Sequence, residues 1–268
     1  MRKEILLNDN WVFYRGDLDT PINPDKGPTY QQSKTERKLF GPASYSYIDI
    51  PNNFGNHGDI GADSWEWVNI PHDYVVCQDA DKKENQAIGY LHYDNAWYRK
   101  HFTLDKQDEN KRILLRFDGI AGNCTIYLNG CLMYHNFSRY NTFEIDITDN
   151  AYFDKENVLA VYINPKEFEG WWYQGAGIYR DVHLTITEPV AIDLWGVYAP
   201  YEKINEDDWK INFETTVINA DYEDAFVSLE SFVYDKEGNL VATALGEGNV
   251  PLREKGVIKY SCVISNPL

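Results

Sequence analysis

The chain has 268 residues and a formal net charge of −17, from 25 Lys and Arg against 42 Asp and Glu. A surface that negative repels phosphate backbones and anionic lipid, which excludes nucleic acid and membranes as partners and leaves neutral ligands unaffected. Hydrophobic residues make up 43%, enough for packed cores, and 8 Trp, 20 Tyr and 12 Phe suit both sandwich cores and stacking on the apolar faces of sugar rings.

The opening segment, MRKEILLNDNWVF, carries no apolar run long enough for a signal peptide or a transmembrane helix. Cys77, Cys124, Cys131 and Cys262 are sparse and form neither a CxxC nor a Cys/His ladder. Cys124 and Cys131 flank a turn and Cys262 alternates with apolar residues, so buried free thiols in a reducing cytoplasm are expected. Residues 20–47 are rich in Pro, Gly and polar side chains and predict a long surface excursion. QDADKKENQ, between Cys77 and Ala87, predicts a second polar loop.

Helical periodicity is nearly absent, and short alternating runs take its place. RILLRFDGI predicts a strand with Ile113, Leu115 and Phe117 on one face and Leu114, Arg116 and Asp118 on the other. NCTIYLNGCLMYHN predicts a hairpin turning at Asn129-Gly130, a pair tolerant of positive φ. TFEIDIT, NVLAVYIN and RDVHLTIT predict further strands. Near residue 190 a second series begins: WKINFETTVIN, AFVSLESFVYD, the turn DKEGN, LVATALG and VIKYSCVIS. In the last, Ile258, Tyr260, Cys262 and Ile264 share a face. These strands predict an immunoglobulin-like β-sandwich over 190–268, truncated because it holds fewer than the ~100 residues usual for that fold.

Seven motifs then occur in order: LLNDNWVFYRGD (6–17), WVNIPHDY (67–74), GYLHYDNAWYRKHF (89–102), LRFDGIAGNCTIYLNG (115–130), NTFEIDIT (141–148), NVLAVYIN (157–164) and WWYQGAGIYRDVHLTI (171–186). Together they resemble glycoside hydrolase family 2, the β-galactosidase, β-glucuronidase and β-mannosidase group, and look most like its β-galactosidase branch. The resemblance implies an all-β chain: a jelly-roll, galactose-binding-like sandwich over 1–189, then the immunoglobulin-like one. It also implies a catalytic TIM barrel as partner. No strand–helix alternation for a barrel exists in this sequence, so the chain alone is expected to be inactive. In the parent family the reaction is hydrolysis of terminal β-glycosidic bonds, with carbohydrate as ligand and a homo-oligomer as an open possibility. A free-standing carbohydrate-binding module and a purely architectural brace are the alternatives.

Retaining hydrolysis needs two carboxylates about 5 Å apart. Asn205-Glu206 matches the family's acid/base dipeptide, but it lies in a polar, acidic stretch and is read as a decoy, so no catalytic residue is assigned. Asp73, Trp171, Trp172 and Tyr173 are the candidates for sugar contact or an active-site rim. For Asp73, beside His72, capping of the following turn competes. For the three aromatics, interdomain packing competes. Relatives place an Asp near the position of Trp171, and here Glu169 is the nearest carboxylate. Gly175 and Gly177 are expected to give a tight backbone path. Trp97 and Arg99 are structural candidates at a strand start, with Trp97 in the core. Arg180 and Asp181 are expected to form a structural ion pair, with substrate contact as the sharper alternative for Arg180. The six histidines show no metal-ligand spacing, so neither metal nor cofactor is expected.

Overall fold

The computed structural model describes residues 2–18, 41–47, 49, 65–167 and 170–265. The chain is all-β, and among the described residues strands are joined by turns and short 3-10 segments, with no α-helix. It divides into two units, Arg2–Ile186 and Thr187–Leu268.

The first unit holds β1 (Lys3–Leu6), β2 (Trp11–Arg15), β3 (Trp65–Val68), β4 (Ala96–Thr103), β5 (Arg112–Phe117), β6 (Asn123–Leu128), β7 (Cys131–Asn136), β8 (Phe143–Asp146), β9 (Glu156–Asn164) and β10 (Val182–Thr187). They form a four-stranded sheet ordered β1-β10-β5-β8 and a six-stranded sheet ordered β3-β2-β4-β9-β6-β7. Between the sheets lies a continuous core including Trp11, Phe13, Tyr98, Ile113, Leu115, Phe117, Ile126, Val161 and Leu184. Each such large apolar side chain contributes roughly 1.5–3 kcal/mol by leaving water. The predicted hairpin is β6–β7, closing at Asn129 (φ 51°) and Gly130 (φ 87°), the conformation that Asn-Gly favours.

Two sequence expectations are corrected here. Leu114, assigned to the polar face of β5, is 1% exposed, so that strand is covered on both faces near its centre. The expected surface excursion over 20–47 lies largely outside the described residues, but its end packs inward. Ala43, Ser44 and Tyr47 are buried, as is Asp49 just beyond. With Leu18 and Trp65 they cover the outer face of the six-stranded sheet, where Val12, Trp97, Tyr127 and Ala160 form a second cluster.

Arg99 on β4 fastens that cover. It is fully buried, and its guanidinium donates to the Asp49 carboxylate and to the carbonyls of Pro42, Ser44 (2.9 Å) and Tyr47 (3.2 Å). Such saturation is what allows a buried charge to persist. His101 adds a bond to Asp49 at 2.9 Å. Burial would raise the Asp49 carboxyl, but His101 and Arg99 outweigh it and hold its pKa below the ordinary value.

The second unit holds β11 (Val190–Tyr198), β12 (Tyr201–Lys203), β13 (Asp208–Asn219), β14 (Ala225–Tyr234), β15 (Leu240–Val250) and β16 (Lys255–Ser265). β13 pairs with β11, β12 and β16, while β14 and β15 form a hairpin. That hairpin turns at Asp235–Asn239, where the Asp235 carboxylate accepts the backbone N–H of Glu237 and Asn239 and Gly238 takes φ 87°. Ile258, Tyr260, Cys262 and Ile264 do share the inner face of β16. The core here is small: Val217, Val250 and Ile258, flanked by Val190, Val227, Leu229 and Tyr260. All four cysteines are free, but burial holds only for Cys124; Cys77 and Cys131, beside loops, are exposed, and Cys262 is half-buried.

Candidate functional site

The site grows from two segments of the first unit that run side by side, IPHDY (70–74) and WWYQGAGI (171–178). His72 N–H donates to the Ile178 carbonyl at 2.7 Å and Tyr74 N–H to that of Ala176 at 3.1 Å. Asp73 lies between these two bonds. Its Oδ1 accepts the N–H of Val75 (2.9 Å) and of Ala176 (3.2 Å), and its Oδ2 accepts the Tyr173 hydroxyl at 2.6 Å. The residue therefore caps its own turn and also grips the neighbouring loop. Burial first, and then the bond to Asp73, raises the Tyr173 pKa, so its phenol stays protonated and donates.

Only glycine fits opposite these groups. A Cβ on Gly175 (φ 66°) would stand 2.5 Å from Asp73 Oδ2, and one on Gly177 (φ 132°) 2.2 Å from the His72 carbonyl oxygen. Close approach and positive φ together impose glycine at both positions. His72 Nδ1 pairs with the Tyr98 hydroxyl at 2.7 Å, and burial lowers its pKa, which keeps the ring neutral.

The loop is also held from beneath by Arg139, which is not apparent from the sequence. It is 2% exposed and donates to the carbonyls of Gly175 (3.3 Å), Pro165 (2.9 Å) and Glu167 (2.7 Å). Its own carbonyl accepts the Tyr179 hydroxyl. In NFSRYNTF an arginine among polar residues looks solvated, and its flanking aromatics are the one signal that could have found it.

On this support stands an aromatic crest. Trp171 is 91% exposed, Trp172 51% and Tyr173 44%. Trp172 Nε1 donates to the Tyr140 hydroxyl at 3.1 Å, which sets the indole's orientation. Exposed indole and phenol faces beside hydroxyl groups can stack on an apolar face and hydrogen-bond a polar rim. Beneath them Gln174 is buried, and neither polar atom of its amide has a partner among the described residues.

The remaining expected residues lie elsewhere. Trp97 is in the outer cluster against Tyr127 and Tyr162, and Arg99 anchors the 41–49 cover. Arg180 and Asp181 do not form the expected pair. Asp181 Oδ1 accepts from Asn8 at 2.7 Å, while Arg180, at the bend before β10, lies 5.2 Å over the Tyr179 ring. Glu169 lies outside the described residues. Glu206 is exposed in a turn whose N–H groups at Asp207 and Asp208 bond to Asn205 Oδ1.

Comparison with known proteins fits this geometry. The family model "Glycosyl hydrolase 2 galactose-binding domain-like" matches residues 74–175, which begin just after Asp73 and include Arg139 and Gly175. A β-galactosidase of Bacteroides ovatus is 30% identical over 206 residues, 76% of this chain and 24% of the relative. A β-glucuronidase of Formosa agariphila is 28% identical over 233 residues, 76% of this chain and 23% of the relative. A family 2 glycosyl hydrolase structure from Bacteroides cellulosilyticus superposes with a TM-score of 0.76 at 26% identity, covering 99% of this chain and 31% of that one. The chain thus spans about a quarter of the length of the curated relatives it matches. Residues 74–175 thus match the galactose-binding-like domain of glycoside hydrolase family 2, and the chain as a whole is similar to the corresponding part of family 2 enzymes.

Proposed function

We propose that the chain is the non-catalytic sugar-binding and scaffold region of a family 2 glycoside hydrolase, most like a β-galactosidase, with hydrolysis of the terminal β-glycosidic bond carried by a TIM barrel outside it. The exposed crest on a rigid, glycine-locked support is the observation that carries this reading. Core packing has no use for a Trp that is 91% exposed, whereas a sugar face or a neighbouring catalytic domain does. Asp73 is committed to two backbone N–H groups and a phenol, a structural duty rather than that of a general acid. Residues 1–189 serve as the jelly-roll domain and 190–268 as the immunoglobulin-like one in this proposal, and the four free thiols suit a cytoplasmic setting.

Nitrophenyl glycosides assayed with the chain alone, and with a form extended through the downstream reading frame, test the proposal. Turnover by the extended form only is the expected result. Turnover by the chain alone would overturn it. If neither form cleaves, heat on titrating galactosides into the chain would favour a free-standing binding module instead.

A further inference from the structure

The outward face of the four-stranded sheet collects metal-ligand side chains that no spacing in the sequence reveals. Asp181 and His183 stand at the entry and start of β10, and Asp118 follows its neighbour β5, where it meets Arg116 Nε at 3.0 Å. Val182 and Leu184 point the other way and are buried. The N–H of Asp118 donates to the Asp181 carbonyl at 3.0 Å, so the two aspartates stand on adjacent backbone. One oxygen of each aspartate and one ring nitrogen of His183 lie within 4.8 Å of one another.

We propose that Asp118, Asp181 and His183 bind a divalent first-row cation. Three features carry it. The donor set, one imidazole and two carboxylates, is the type that zinc and manganese take in preference to magnesium or calcium. The second feature is the orientation of His183, whose Nδ1 faces Glu4 Oε1 at 2.9 Å and whose Nε2 stands 3.1 Å from Asp118 Oδ2. Both ring nitrogens thus face carboxylates; with Glu4 holding Nδ1–H, a metal at Nε2 takes the place of the proton shared with Asp118. Ligands at roughly 2.1 Å from an ion sit about 3 Å apart when adjacent, which the His183–Asp118 pair already matches. The third feature is charge. Glu4, Asp118 and Asp181 contribute three carboxylates, and the guanidinium paired with them is that of Arg116, 3.0 Å from both Glu4 and Asp118. Arg180 reaches only the Asp118 backbone carbonyl, at 3.5 Å. A divalent ion neutralises the remainder. Asn8 holds Asp181 Oδ1 at 2.7 Å, which steadies that carboxylate, and all three ligand residues are partly exposed, so an ion enters from solvent. Water completes the coordination. The site stands independently of the sugar-binding proposal.

Calorimetric titration of the chain with zinc chloride, and separately with manganese chloride, tests it. Manganese is the control against the exposed thiols of Cys77 and Cys131, which it binds poorly. One saturable site per chain is expected for both ions. His183→Gln and Asp181→Asn are each expected to weaken it 10–100-fold. His92→Gln, which removes a surface histidine held between Glu84 and Asp94, should leave it intact. Asp181→Asn is isosteric, and retention of the wild-type melting temperature without metal shows that the loss is not misfolding. The proposal is overturned by no saturation at about millimolar ion, by equal binding in every variant, or by loss on His92→Gln instead.

Discussion

Trp11 and Trp171 carry the same side chain in one unit and do opposite things. Trp11 is fully buried between the sheets, its indole N–H donating to the Leu7 carbonyl at 2.6 Å and its ring edge-on to Tyr98. Trp171 stands 91% exposed on a loop fixed by other residues. In the core the aromatic ring supplies the stability. At the crest the stability comes from Asp73, Arg139, Gly175 and Gly177, and the ring is what they hold out. Stability and presentation are thus assigned to different residues, and substitutions should separate them.

The largest effect is expected from the core. Trp11→Ala should cost about 3–5 kcal/mol of unfolding free energy, measured by denaturant titration; a loss below about 1 kcal/mol would mean that the core does not rest on this ring. Removing the support beneath the crest comes next. Arg139→Met strands buried carbonyls of Gly175 and Pro165 and should cost about 2–3 kcal/mol, with backbone amides of the crest loop exchanging faster. Asp73→Ala loses a turn cap and the grip on Ala176 and Tyr173, at about 1–2 kcal/mol. Unchanged amide exchange at Ala176 in that variant would contradict the grip.

A smaller effect depends on pH. The hydrogen bond that His101 donates to the Asp49 carboxylate raises the His101 pKa against the opposing effect of burial, with Glu156 helping. A group whose folded pKa is raised stabilises fully below its unfolded pKa, about 6.5, and loses that contribution as pH rises through the folded value. The stability difference between wild type and His101→Gln should therefore shrink from pH 6 to pH 8. His92, raised by Glu84, acts in the same direction, so the difference between the two proteins is the quantity to follow. A gap that widens with pH would refute the assignment.

Much of the fold is legible in the sequence because local signals agree. The Asn129-Gly130 turn, the strict alternation of β16 and the DKEGN turn each fix φ/ψ or a face without outside help. Two-sided burial is not legible. Leu114 and the 41–49 cover are hidden by elements distant in sequence, and Ser44 and Asp49 look like loop residues until Arg99 saturates their surroundings. At the site, Gly175, Gly177 and Asp73 announce themselves through residue type. Arg139 does not, since nothing in NFSRYNTF shows that three carbonyls 26 or more positions away converge on it. Asp118 and His183, 65 residues apart, meet only because β5 and β10 are neighbours.

Equilibrium unfolding of Trp171→Ala beside wild type tests the central contrast most directly. If the crest is held out by its support, the two unfold within about 0.5 kcal/mol of each other. A loss approaching that of Trp11→Ala would make Trp171 part of the core and contradict the division between stability and presentation.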